Sequence, residues 1–316
     1  MNGHAYGKVI LLGEHAVVYG VPALAVGIDR GAIARVEPLA RGPSRLHIRG
    51  TRPVLADEPD SDLARAFREV LAACGQPGPV HVEVSTDLPA GAGLGCSAAL
   101  GVAIVRSLES LAGEAGGPVD QTIGRAMAWE RVFHGNPSGV DATVAATGGC
   151  RWFVRGGANE GLRLGASLSL AIGHTGLASS TKGMVEGVAR LRQRRPEAVA
   201  KAFEGIAALV KNARGALEAG DVRALGKLFD LNQMLLAGLF VSSAEIEQLC
   251  DLARRAGALG AKLTGAGGGG CVAALCEGPG DVDAVLAAWK AQGYEGFASV
   301  VRADPPAARL EAPARP

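Results

Sequence analysis

The sequence predicts an α+β protein of two lobes. Strand-like runs crowd its first half, helical spacing dominates from about Ser179 onward, and a glycine-rich loop at 88–97 (LPAGAGLGCS) joins a strand to a helix. At 316 residues with 48% hydrophobic side chains, the chain is long enough to bury two cores. The shift from strand to helix sets the lobes at 1–165 and 166–302. Residues 303–316, rich in Pro and Ala, read as a disordered tail.

The elements follow in order. Strands are expected at 8–13, 23–28, 32–39 and 45–49, short aliphatic runs bounded by turn residues. Asp60 or Ser61 caps a helix whose Leu63, Phe67, Val70 and Leu71 share a face, and Gly75 ends it. VHVEVST at 80–86 sets valine at every second position and delivers the chain to the glycine loop. Helices come next near 96–112, from Pro118 to Phe133 and from Ser138, then a strand at 150–155. The second lobe reads as helices near 182–194, 197–218, 221–237 and 243–256. It closes with strand 261–265, a glycine loop at 265–270, strand 271–276, helix 281–291 and strand 297–302.

Composition narrows the function. Lys plus Arg is 32 and Asp plus Glu is 31, so no charge excess draws the chain to nucleic acid or to a membrane surface. Six scattered cysteines without a CxxC pair fit reduced thiols and a cytoplasmic protein. The start lacks a basic segment followed by an apolar one, which disfavours secretion. The uncharged stretches 88–105 and 164–181 are broken by Gly and Ser, which argues against a membrane span.

The first glycine loop is suited to phosphate. Gly91, Gly93 and Gly95 remove the Cβ atoms that keep a bulky anion from the backbone, and the orphan N–H groups of the next helix point into the loop. Pro89, Ala90, Gly91, Ala92, Gly93, Leu94, Gly95, Cys96 and Ser97 would form the cradle, and Ser97 offers a hydroxyl to a metal on the phosphates. A turn of small residues for tight packing is the plain alternative. Walker A chemistry is excluded, because Gly95-Cys96-Ser97 lacks the lysine. A second loop, GAGGGGCV at 265–272, matches GxGxxG, but it runs into a strand where a dinucleotide fingerprint needs a helix.

Several polar positions stand out. Lys8 opens a strand that is apolar on both faces, which suits a buried amine or a snorkelling strand-end lysine. Gly13, Glu14 and His15 emerge where that strand ends. Glu130 falls on the apolar stripe of Ile123, Ala126, Met127 and Phe133, so it must find a cation, either a metal or an arginine, or shift its pKa. Asp141 follows Ser138 at capping-box spacing and is either a cap or a site residue. Cys96, at a helix N-terminus, is expected to have a lowered thiol pKa.

Three motifs in order, GKVILLGEHAVVYG at 7–20, LPAGAGLGCSAAL at 88–100 and KLTGAGGGGC at 262–271, resemble the GHMP kinases. With ERVFHGNPSGVDA at 130–142 and HTGLASSTKGMV at 174–185, they are most similar to the branch that phosphorylates mevalonate. The resemblance implies a first domain like domain 2 of ribosomal protein S5, which binds ATP, and a ferredoxin-like second domain. It also implies ATP and mevalonate as substrates, Mg²⁺ as the metal, and a monomer or homodimer. On it, Asp141 accepts or orients the substrate hydroxyl's proton with Lys8 beside it, and Ser97 and Glu130 hold Mg²⁺. Lys8, Glu14, His15, Asp141 and Thr175 would line the substrate pocket, and Gly265 and Ala266 would belong to the loop that closes over it. Cys96 departs from the Ser-Ser pair usual after Gly-Leu-Gly, which puts one hydroxyl hydrogen bond in doubt.

Overall fold

The structure, a computed structural model, describes residues 1–76, 78–135, 137–157 and 159–303. All of the expected tail except Ala303 lies outside the described residues. The first sheet comprises β1 (Asn2–Leu12), β2 (Ala23–Pro38), β3 (Arg45–Ile48), β4 (Val54–Leu55), β5 (Val80–Thr86), β6 (Cys150–Phe153) and β7 (Asn159–Leu162). Its order is β4-β3-β5-β2-β6-β7, with β1 on β2. β1 runs antiparallel along β2 from Asn2 opposite Arg35 to Leu12 opposite Leu24, while β5 and β6 divide the other edge of β2 between them.

The expected strands 23–28 and 32–39 are therefore one strand. Asp29-Arg30-Gly31 reads as a turn, but the register shifts there, between Tyr6 and Gly7 of β1, and pairing continues on both sides. Gly31 is required at this point, since a Cβ would lie 1.9 Å from the Ala5 carbonyl oxygen. The sequence reading missed β4, which is only two residues long, β7, which is short and mostly polar, and β8, whose glycine and serine flanks look like loop.

Four helices cover this sheet: α1 (Asp62–Ala73), α2 (Cys96–Leu111), α3 (Val119–His134) and α4 (Val140–Thr147). Ser61 caps α1 by accepting from the Ala64 amide at 3.2 Å. α2 packs on β1 and β2, and α3 packs on α1 and α2. The buried positions of α3 are Thr122, Ala126, Trp129 and Glu130, so the inward stripe is rotated from the expected one and centres on Trp129. Glu130 is on it, as expected, and 3% exposed.

The chain enters the second sheet at β8 (Leu168–His174). Helices α5 (Thr181–Arg194), α6 (Pro196–Ala219), α7 (Val222–Gly238) and α8 (Ala244–Arg255) lead to β9 (Gly260–Thr264) and β10 (Cys271–Cys276), and α9 (Pro279–Ala291) leads to β11 (Glu295–Val301). The sheet order is β11-β8-β10-β9, and every pair is antiparallel. With helical segments in both crossovers, this is the β-α-β-β-α-β plan of ferredoxin-like folds. One core of buried apolar residues spans both sheets, with Phe67, Trp129, Phe229 and Trp289 among its largest side chains. A smaller cluster of Ile10, Val17, Ala23, Ala25, Val140, Val144 and Phe153 backs the cleft described next. No described helix is long and apolar enough to cross a membrane.

Candidate active site

The first glycine loop runs from β5 into α2. Gly91, Gly93 and Gly95 have φ of 68°, 79° and 72°, a left-handed backbone that suits glycine. Gly95 is the N-cap of α2 and no side chain caps the helix, so the amides of its first turn are left for a ligand. The second loop packs against the back of the first: a Cβ on Gly265 would lie 3.0 Å from Gly93 Cα, and one on Gly270 would lie 2.9 Å from the Ala92 carbonyl oxygen. The two loops are thus one platform, with the exposed Ala90 and Gly91 at its rim.

Lys8 reaches the site from the middle of β1. Its amide donates to the Leu94 carbonyl at 2.9 Å, tying the strand to the phosphate loop. Its side chain crosses Gly95, where a Cβ would lie 2.8 Å from Lys8 Cγ, and Nζ stands 3.1 Å from Asp141 Oδ1. The capping-box reading of Asp141 fails. Gly139 is the N-cap of α4, no side chain caps that helix, and Ser138 Oγ accepts only from the Val140 amide at 3.4 Å. Asp141 belongs to the lysine.

Beside this pair, Ser97 Oγ donates to Glu130 Oε1 at 2.6 Å and accepts from Trp129 Nε1 at 3.3 Å. Among the described residues no lysine or arginine forms an ion pair with Glu130, and its nearest basic partner is His134, with Nε2 3.9 Å from Oε2. Burial, opposed by the Ser97 hydrogen bond, pushes the carboxyl up to about 7. Burial also lowers the pKa of the His134 imidazole. Cys96 behaves opposite to expectation. Burial raises its thiol pKa, opposed by a hydrogen bond with Thr86, and Sγ lies 3.9 Å from the Leu88 carbonyl oxygen. A specially reactive thiol is not what this environment produces.

Glu14 and His15 face the second lobe. Both Glu14 oxygens are engaged, one by Lys262 Nζ and the other by Asn232 Nδ2 at 3.1 Å. His15 Nε2 lies 2.8 Å from the Ala266 carbonyl oxygen, which can only accept, so Nε2 carries the proton. Burial lowers the His15 pKa and favours the neutral ring. Thr175 is not brought to the cleft: its hydroxyl donates to the Gly270 carbonyl at 3.0 Å and accepts from the Leu177 amide at 3.2 Å, shaping the base of the second loop.

The cleft has two connected parts. An inner chamber of about 100 Å³ is walled by Lys8, Glu14, His15, Gly93, Asp141 and Ala266, among others. An outer cavity of about 460 Å³ adds Glu130, His134, Arg155 and Lys182. Val18, Ser138, Asp141, Thr181 and Val185 belong to both, so Asp141 stands where they meet.

Comparison with known proteins identifies the family. Family models described as the GHMP kinase N-terminal domain and the GHMP kinase C-terminal region match residues 62–149 and 213–295. The mevalonate kinase of Methanothermobacter thermautotrophicus is 35% identical over 304 residues, covering 93% of this chain and 97% of its own. The chain belongs to the GHMP kinase family. A mevalonate kinase of Aeropyrum pernix is 35% identical over 324 residues, covering 97% of each chain. The crystal structure of L. major mevalonate kinase in complex with R-mevalonate superposes with a TM-score of 0.85 at 29% identity, over 97% of both chains.

Two polar residues of the cleft, and a third that lies behind it, escaped the sequence reading. Arg155 sits just past the short β6, and its Nη1 donates to the Val18 carbonyl at 3.1 Å. Lys182 lies in the exposed first turn of α5. Neither carries a local signal. Lys262 does, as a charged residue between the apolar Ala261 and Leu263, and that signal was overlooked in favour of the glycines after it.

Proposed function

We propose that the protein transfers the γ-phosphoryl group of ATP to the 5-hydroxyl of mevalonate. The observation that carries this reading is the Lys8–Asp141 pair, 3.1 Å apart at the junction of a small chamber and a glycine-lined helix N-terminus. An acceptor hydroxyl in the chamber meets both groups. Asp141 accepts or orients its proton, and the Lys8 ammonium stabilises negative charge as it develops on the oxygen. The amides of Gly95, Cys96 and Ser97 receive the ATP phosphates, so that positioning and charge neutralisation supply most of the rate.

Ser97 and Glu130 fit Mg²⁺. They are adjacent hard oxygen donors beside the phosphate cradle, and the Glu130 carboxyl, raised to about 7, is buried with no lysine or arginine ion pair among the described residues. When bound, the ion would neutralise phosphate charge and orient the transferred group. Its carboxylate-bearing substrate also requires a cation at the far end of the cleft, which Arg155 and Lys182 supply. Val18, Met127 and Val185 give the aliphatic chain an apolar wall. His15, neutral and anchored on Ala266, closes the inner end together with Glu14.

The test is ADP release measured with mevalonate, phosphomevalonate, homoserine and galactose. Mevalonate is expected to give the highest kcat/KM. Turnover favouring another of these would overturn the substrate, and none with any would leave a GHMP-fold ligand binder without catalysis.

A further inference from the structure

The outer edge of β1 has no strand partner among the described residues, yet its groups near the site are satisfied. The Lys8 amide bonds to Leu94 of the phosphate loop. Two positions on, Thr264 of β9 takes over: its Oγ1 accepts from the Ile10 amide at 2.9 Å and donates to the Ile10 carbonyl at 3.3 Å. Lys262 Nζ donates to the same carbonyl at 3.4 Å, to the Leu263 carbonyl and to Glu14. Lys262 and Thr264 are alternate residues of one strand and so project from the same face. Together they stand in for a neighbouring strand, using side chains of the second lobe on backbone of the first. The same Thr264 also presses on the phosphate loop, because a Cβ on Gly93 would lie 2.8 Å from its carbonyl oxygen.

We propose that Thr264 and Lys262 are positioning residues that clamp β1 at Ile10 and thereby set Lys8 against both Asp141 and the phosphate loop. The proposal rests on the phosphotransfer reading above. Neither side chain lines the cleft, and both are buried, with 1% and 0% exposure. Their influence passes through a two-residue lever, Ile10 to Lys8, and through Glu14 to His15. A displacement of about 1 Å at a reacting group costs on the order of 10²-fold in rate, so a loose clamp registers in kcat before it registers in substrate binding.

Thr264→Val is the informative variant, since it keeps the shape and removes both hydrogen bonds to Ile10. Expected are a kcat lower by about tenfold or more at a temperature well below unfolding, and a KM for ATP changed by less than about threefold. Thr264→Ser should recover most of the loss. Hydrogen exchange at the Ile10 amide, read without substrate, should accelerate in the valine variant and not in the serine variant. Wild-type kcat in Thr264→Val, even with a lowered melting temperature, would overturn the clamp, as would unchanged exchange at Ile10. A wild-type enzyme inactive on mevalonate would overturn the phosphotransfer reading instead, and the Ile10 exchange would still decide whether Thr264 holds β1.

Discussion

Two lysine–carboxylate pairs flank β1, and they differ in one respect. Lys8–Asp141 opens on the cleft, with the Asp141 side chain 37% exposed, whereas Lys262–Glu14 is fully enclosed between the lobes. The chemistry of the pairs is alike, but their access to ligand is not. An open pair can exchange its partner for a substrate hydroxyl. An enclosed one, with its lysine also bonded to two carbonyls and its glutamate to Asn232, is committed to holding the chain. The comparison predicts that the first acts on rate directly, and that the second acts on stability and reaches the rate only through the placement of β1.

The sharpest way to break it is Asp141→Asn. This should lower kcat by on the order of 10²-fold or more and leave ATP affinity nearly intact. Steady-state kinetics with a nucleotide-binding titration checks both, and near-normal turnover would reduce the open pair to a structural one. The enclosed pair gives the next effect. Lys262→Met leaves a buried carboxylate without its cation and should destabilise the fold by about 3–5 kcal/mol in urea unfolding. Lys8→Met, whose partner reaches water, should destabilise it less. Equal losses would erase the distinction.

A third contrast lies beside the open pair. Ser97→Ala and Glu130→Gln should each raise the Mg²⁺ needed for half-maximal activity, and the double variant should lose less than the sum of the two. A fall in melting temperature without any change in Mg²⁺ dependence would make Glu130 a structural residue.

The smallest effect is electrostatic. The folded carboxyl of Glu130 is raised to about 7 from its ordinary 4.5, so the metal-free fold keeps a proton that the unfolded chain releases. The folded state's advantage is complete below 4.5 and is lost as pH rises through about 7. Urea unfolding at about pH 5 and about pH 8 in chelator should show this decline, and Glu130→Gln should flatten it.

What the sequence disclosed follows the range of each interaction. Local signals carried far: the Ser61 cap, the valine alternation of β5, the left-handed glycines before α2 and the inward-facing Glu130 are all found. Long-range pairing was not legible. β2 read as two strands because Gly31 looks like a turn until β1 is laid beside it. Asp141 had a local explanation, capping, that only Lys8, more than a hundred residues away, displaces. Cys96 shows the limit of a single rule, since the helix N-terminus lowers a thiol pKa only where burial does not raise it more. Thr175 illustrates a role carried by resemblance alone: its hydroxyl is engaged by Gly270 and Leu177 of the second loop's base, and it lines neither part of the cleft.

The account stands most directly on where the phosphoryl group goes. Phosphorus NMR of the product formed from ATP and mevalonate should show a single phosphomonoester coupled to the C5 methylene, with one ADP per ester. The same incubation with Asp141→Asn should give almost none. Phosphate on the 3-hydroxyl, ADP formed without an ester, or equal product from the variant would contradict it.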